Sequence, residues 1–195
     1  MNIVTKAEIK VLELEANDLG LSEDTLINRA GLLIASFTHQ RLQPPDGVVV
    51  LVGSGNNGSD GIVAALHLHQ LGHEVLLYIC NHRSSQDPYL EGARETGINI
   101  IEAVEDTEQS NLKHYVNSSA VVIDAVIGTG RNRPLNKTTS SVFNVIRQHK
   151  LTNLVIHHFL LVCTGDHYHQ HRNNRKANRC QPVPTHQPDL LLLRK

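Results

Sequence analysis

"VVVLVGSGNNGSDGIVAALHLHQLG", residues 48–72, sets a Val-rich run against a glycine-rich turn and then a segment of helical apolar spacing. A continuous run such as Val48–Val52 suits a strand covered on both faces, and Ser59–Leu71 with Gly72 behind it suits a helix. Between them Gly53, Gly55 and Gly58 form a literal G-x-G-x-x-G. Such a turn lets main-chain N–H groups approach a phosphate, and the helix N-terminus adds about half a positive charge. Glycines can also serve only to make a tight turn, and a lone fingerprint does not choose between the two.

Two features argue against a redox dinucleotide site. That site needs an acidic residue at the end of the second strand, about 20 residues past the loop, to hold the ribose; here the second strand ends at Cys80 and Asn81. The loop also continues as Asn56, Asn57, Gly58, Ser59, Asp60, which places two amides and a carboxylate where small apolar residues are usual. Polar side chains in that position call for a ligand or an ion. No G-K-[ST] follows the glycines, which excludes a P-loop.

Outward from this unit the pattern repeats. Thr5 with Glu8 makes a capping box for a helix over 6–18, ended by Gly20, and Ser22 caps a second helix that runs until "QPPDG" at 43–47. Downstream, strands are predicted at 74–80, 98–101, 120–127 and 153–156, with helices at 88–96 and 138–149. Alternation of this kind predicts an α/β fold, a Rossmann-like three-layer α/β/α sandwich with a mostly parallel sheet. The loops after Val52 and Ile127 then share the ligand edge of that sheet.

The totals fit one domain, since a chain of 195 residues buries roughly 70% of its extended surface. No apolar run approaches the ~18 residues of a membrane span, so no membrane is expected. Three cysteines and no secretory h-region point to a reducing cytoplasm. A net charge of -1 gives no reason to expect a nucleic-acid partner, although residues 1–150 carry 12 basic against 17 acidic side chains and residues 151–195 carry 6 against 2.

The second constellation is "VVIDAVIGTGRNRPL", residues 121–135. Asp124 interrupts an apolar strand, where a carboxylate costs several kcal/mol unless it is paired or bonded. Either a neighbouring loop's main chain satisfies it, or it shares a cation with an Asn carbonyl of the first loop, since hard cations take oxygen ligands. Gly128, Thr129 and Gly130 make a second flexible turn, with Arg131 and Arg133 placed to meet phosphate or simply solvated.

Together the two loops resemble the NAD(P)H-hydrate epimerase family, the YjeF N-terminal domain, over residues 1–156. "LINRAG" at 26–31 is similar to a family helix ending in R-A-G, and the first helix carries Glu13 where the family usually has Asp. The resemblance implies a fold that binds NADH or NADPH hydrated at C6 of the nicotinamide ring and interconverts the R and S forms. It implies that Asn56, Asn57, Gly58, Ser59 and Asp60, with Gly128, Thr129, Gly130, Arg131, Asn132, Arg133 and Pro134, contact this substrate. It further implies that Asn57 and Asp124 hold K+, that the chain forms a homodimer, and that a separate NAD(P)H-hydrate dehydratase works beside it. The catalytic acid or base stays unassigned. An alternative within the same fold is a non-catalytic nucleotide-binding and dimerisation module, as in messenger-RNA decapping scaffolds.

The resemblance stops near residue 156. The family continues with an Asp followed by P-S-G, whereas residues 157–195 carry no such motif and hold no glutamate. This break predicts a sheet incomplete at its C-terminal end and a tail that is frame-altered, truncated or disordered. Cys163, His167, Cys180 and His186 lack the usual zinc spacings, and "HRNNRKANR" at 171–179 has no interleaved aromatics for nucleic acid.

Overall fold

The computed structural model describes residues 18–128 and 134–148, with residues 11, 14 and 15 ahead of them and the main chain of 152–157 and 160–161 behind. Its elements run α1 (Glu23–His39), β1 (Gly47–Val52), α2 (Asn56–Gln70), β2 (Glu74–Ile79), α3 (Pro88–Glu95) and β3 (Asn99–Glu102). They continue with α4 (Ser110–Ser118), β4 (Ser119–Ala125), α5 (Lys137–Gln148), β5 (Thr152–His157) and β6 (Leu160–Leu161). The helix expected over 6–18 lies largely outside the described residues.

The sheet order is β3-β2-β1-β4-β5-β6, with β1 to β5 parallel and the short β6 antiparallel to β5. Alternate residues of each strand feed two cores. On one face Val48, Val50 and Val52 of β1 pack with Val75, Leu77 and Ile79 of β2 beneath α1, α2 and α3. On the other, Val49 and Leu51 join Leu76, Tyr78 and Val122 beneath α4 and α5. Both faces of β1 are covered, so its Val-rich run follows from burial rather than from alternation. Each fully enclosed Leu or Ile, such as Leu68 or Ile62, contributes roughly 2–3 kcal/mol of transfer free energy.

The helix ends obey local chemistry. The Ser22 hydroxyl accepts from the Thr25 amide at 3.2 Å, and Asp87 Oδ1 accepts from Tyr89 and Leu90 amides ahead of the Pro88 turn. Gly72 follows α2 at φ +89°, a conformation that costs a glycine least. Gly31, last residue of the "LINRAG" stretch, lets α1 lie close on α2, since a Cβ there would stand 2.5 Å from Val63 Cβ and 3.0 Å from the Ala64 nitrogen.

Helix α4 was not visible in the apolar pattern. Its nine residues bury only Leu112 and Val116, and it is held instead by Asp106, whose carboxylate accepts from the Asn111 and Leu112 amides and from the Tyr78 hydroxyl. Helix α2 also starts three residues before the expected Ser59: Gly55 is its N-cap, and the Gly55 carbonyl accepts from Gly58 and Ser59 amides at 2.8 and 3.2 Å. Asn56 to Ser59 are thus the first turn of a helix, not a loop.

Candidate functional site

In this strand order consecutive connections leave β1 and β4 in opposite directions, which opens a crevice at the carboxyl ends of those two neighbours. Their ends are level: Val52 pairs with Ala125 on one side and Ile79 on the other, and Leu51 with Asp124. The Gly53 amide donates to the Ala125 carbonyl at 3.1 Å, so the two sequence motifs emerge side by side.

The glycines of the first motif have distinct tasks. A Cβ on Gly53 would collide with the Val126 carbonyl, and one on Gly58 with the Gly53 carbonyl and, at 2.6 Å, with Arg83 Nη1. Close helix-to-sheet packing, the usual task of the third glycine in a dinucleotide fingerprint, falls to Gly61, whose added Cβ would be 2.5 Å from Ala125 Cβ.

The polar side chains of that first turn diverge. Asn56 is exposed and its Nδ2 donates to the Glu23 carboxylate at the start of α1. Ser59 is buried, and its hydroxyl accepts from Arg83 Nη2 at 2.8 Å. Asp60 is 4% exposed and engaged. Asn57 is different: at 3% exposure, neither its Oδ1 nor its Nδ2 has a hydrogen-bond partner among the described residues. An amide so placed loses hydration at both ends, a cost of about 1–3 kcal/mol per group unless something fills the site.

Asp124 lies in the adjacent strand, partly buried, and its Oδ1 accepts from the Val126 amide at 3.0 Å. Loss of hydration pushes its carboxyl up to about 6, against the pull of that amide. Burial, reinforced by Asp124, also raises the pKa of the Cys80 thiol at the end of β2, which makes it a poor nucleophile. An unsatisfied amide oxygen and an under-compensated carboxylate are the donor types that suit a hard monovalent or divalent cation. Among the described residues no group of three or more His, Cys, Asp or Glu side chains is placed to hold a metal ion.

Asn81 occupies the position past β2 where a redox fold has its ribose acid. Its Oδ1 instead accepts from Asn136 Nδ2 at 2.9 Å and Thr139 Oγ1 at 3.3 Å, while Asn136 Oδ1 caps α5 through the Thr139 amide at 2.7 Å. The end of β2 thereby moors the exit of the second motif. Of that motif Gly128 is partly buried and Pro134 exposed, whereas Thr129, Gly130, Arg131, Asn132 and Arg133 lie outside the described residues. The residues of the possible zinc and nucleic-acid readings in the tail do so too.

Arg83 carried no signal in the sequence reading. Nothing in "NHRSSQDP" marks it, yet it is 9% exposed and bonded to the glycine turn.

The fold and edge site define an α/β protein whose parallel sheet opens a crevice at the carboxyl ends of β1 and β4. The profile of the family described as "YjeF-related protein N-terminus" matches residues 23–157, and the chain belongs to that family. It is 32% identical over 152 residues to the bifunctional NAD(P)H-hydrate repair enzyme Nnr of Thermofilum pendens, covering 75% of this chain and 29% of that protein. It is 33% identical over 150 residues to the NAD(P)H-hydrate epimerase of Yarrowia lipolytica, covering 75% of this chain and 59% of that one. The chain therefore spans less than two thirds of either relative. The crystal structure of the yeast protein YNL200c superposes with a TM-score of 0.66 at 19% identity, over 80% of this chain and 70% of that one, a likeness of fold.

Proposed function

We propose that this chain is an NAD(P)H-hydrate epimerase, an isomerase that interconverts the R and S forms of NADH or NADPH hydrated at C6. The observation that carries the reading is the Asn57 amide on the first turn of α2, buried and without a hydrogen-bond partner among the described residues, in a chain of the YjeF N-terminal family. Pyrophosphate binds the amides at the N-terminus of α2 and the segment from Gly128 to Pro134, whose sequence supplies Arg131 and Arg133.

Asn57 Oδ1 and the Asp124 carboxylate hold K+, whose charge, when bound, offsets that of the carboxylate and favours the anionic substrate nearby. In the substrate the ring nitrogen next to C6 pushes its lone pair into a C=N bond as the C6–O bond breaks and the hydroxyl leaves with a proton. Water then adds to the iminium from either face and gives up a proton, which restores the hydrate in either configuration. Hydroxyl departure needs a general acid.

A homodimer is part of this reading, supported by Leu32 and Leu33, adjacent on the outer face of α1 and both more than half exposed. A cytoplasmic setting and a dehydratase partner complete it; the relatives named bifunctional support the latter. The deciding experiment supplies purified protein with the R hydrate, an S-specific dehydratase and potassium. Consumption above the spontaneous rate is expected. Nucleotide binding without turnover would favour the non-catalytic module instead, and failure of solvent ¹⁸O to enter C6 would defeat the ring-opening-free iminium route.

A further inference from the structure

We propose that Arg83 is a positioning residue that holds the glycine turn in its binding conformation without touching the ligand; the ligand part of this inference rests on the epimerase reading above. The side chain is 4% exposed, and all three of its guanidinium nitrogens are engaged by protein, through four hydrogen bonds and one ion pair. Nε donates to Asp87 Oδ2 at 2.7 Å and Nη2 pairs with the same oxygen at 2.5 Å. Nη2 also reaches Ser59 Oγ at 2.8 Å, and Nη1 donates to the Gly53 carbonyl at 2.6 Å and the Gly55 carbonyl at 3.2 Å. The guanidinium is thus directed to the turn, Ser59 and Asp87.

The effect on the turn follows from peptide geometry. The one cis bond among the described residues is Pro44–Pro45, so the peptides after Gly53 and Gly55 are trans, and a trans peptide points its C=O and N–H to opposite sides. With both carbonyls drawn to the guanidinium, the amides of Ser54 and Asn56 face away from Arg83. The Gly55 carbonyl is simultaneously the first acceptor of α2, so Arg83 fixes the start of the helix as well as the turn. Gly58 is needed for the same arrangement, because a side chain there would enter the space between Arg83 and the Gly53 carbonyl.

Asp87 locks the clamp from behind. One carboxylate oxygen caps α3 and the other holds Arg83, so the turn is indexed to a rigid element rather than to solvent. A planar fork spans two carbonyls, a hydroxyl and a carboxylate at once; an ammonium is a single point and cannot.

The test compares wild type with Arg83→Lys and Asp87→Asn, the latter keeping an acceptor for the α3 cap. Amide hydrogen exchange at Gly58 and Ser59 is expected to speed up by about tenfold or more in Arg83→Lys while the β1 and β4 amides keep their protection. In the epimerase assay KM for hydrated NADPH is expected to rise about tenfold with kcat nearly unchanged, since a loosened turn removes uniform binding. Asp87→Asn should move both readouts in the same direction by less. Unchanged exchange at Gly58 and Ser59 overturns the clamp, as does loss of protection throughout the sheet, which would mark a merely structural residue. A wild type without turnover strikes the epimerase reading alone, because the exchange measurement still decides the role of Arg83.

Discussion

The Gly53 amide and the Ala125 carbonyl, 3.1 Å apart, join the first residue after β1 to the last residue of β4. That bond brings two motifs about seventy positions apart to one crevice. It also leaves no room: a Cβ on Gly53 would overlap the Val126 carbonyl, a main-chain atom that cannot rotate away. Gly53→Ala is therefore expected to cost about 3 kcal/mol or more, the upper range for overpacking, because strand ends rather than side chains must shift. Urea unfolding monitored by circular dichroism measures it, and a loss below about 1 kcal/mol would show that the two turns are not tied in this way.

Gly61 offers a cleaner case because its obstacle is a side chain. Its added Cβ would meet Ala125 Cβ at 2.5 Å and Val50 Cγ1 at 3.3 Å. Gly61→Ala alone should cost about 1–3 kcal/mol, and Ala125→Gly in the same chain should return about 1 kcal/mol or more of that by clearing the space. A double-mutant cycle checks the coupling; strictly additive losses would mean that α2 does not rest on β4 at this point.

How far the sequence disclosed this molecule depends on whether a feature is periodic or relational. The Val48–Val52 strand was legible because burial on both faces forces a continuous apolar run. The α1 and α3 starts were legible because Ser22 and Pro88 act within their own turn. Helix α4 was not, since its anchor is the carboxylate of Asp106 upstream and its apolar face is two residues wide. The same holds at the site. Asn57 stood out as an amide where a dinucleotide loop usually has a small apolar residue and Asp124 as a carboxylate inside an apolar strand, but Arg83 sits in an ordinary polar loop, and only the folded chain brings it under Gly53, thirty residues earlier. Nor does the sequence distinguish Asn56 from Asn57, whose side chains part because one faces Glu23 and the other the interior.

At the opposite end of the sheet the buried His73 predicts a pH dependence. Its Nε2 lies 2.9 Å from His39 Nδ1 and its Nδ1 3.3 Å from the Asp46 carbonyl. Burial lowers the pKa of His73 from 6.5, and although the Asp46 carbonyl opposes this, the neighbouring His39 adds to it. The folded chain then binds fewer protons than the unfolded chain once pH drops below about 6.5, so stability is full above that value and falls beneath it. The slope for one such group is at most about 1.4 kcal/mol per pH unit. Denaturant midpoints between pH 7.5 and 5 should decline in wild type and decline less in His73→Gln; parallel curves would exclude His73 as the source.

The cation reading of the crevice makes a prediction that needs no substrate. A ligand that binds only the folded chain raises its stability by an amount set by occupancy, about 1 kcal/mol at a concentration about five times the dissociation constant. Potassium should therefore raise the melting temperature of wild type relative to an equal ionic strength of tetramethylammonium, which cannot enter a site lined by an amide and a carboxylate. Asp124→Asn keeps an oxygen to accept from the Val126 amide but has no charge, so it should fold at least as well as wild type without potassium and lose most of the increment with it. Asn57→Leu removes the other donor and replaces a buried unpartnered amide by an apolar side chain of similar size. It should likewise lose the potassium increment while gaining stability in its absence, since the desolvated amide is gone. If both variants keep the full increment, the ion binds elsewhere, and the orphaned amide of Asn57 must then be assigned to the nucleotide itself.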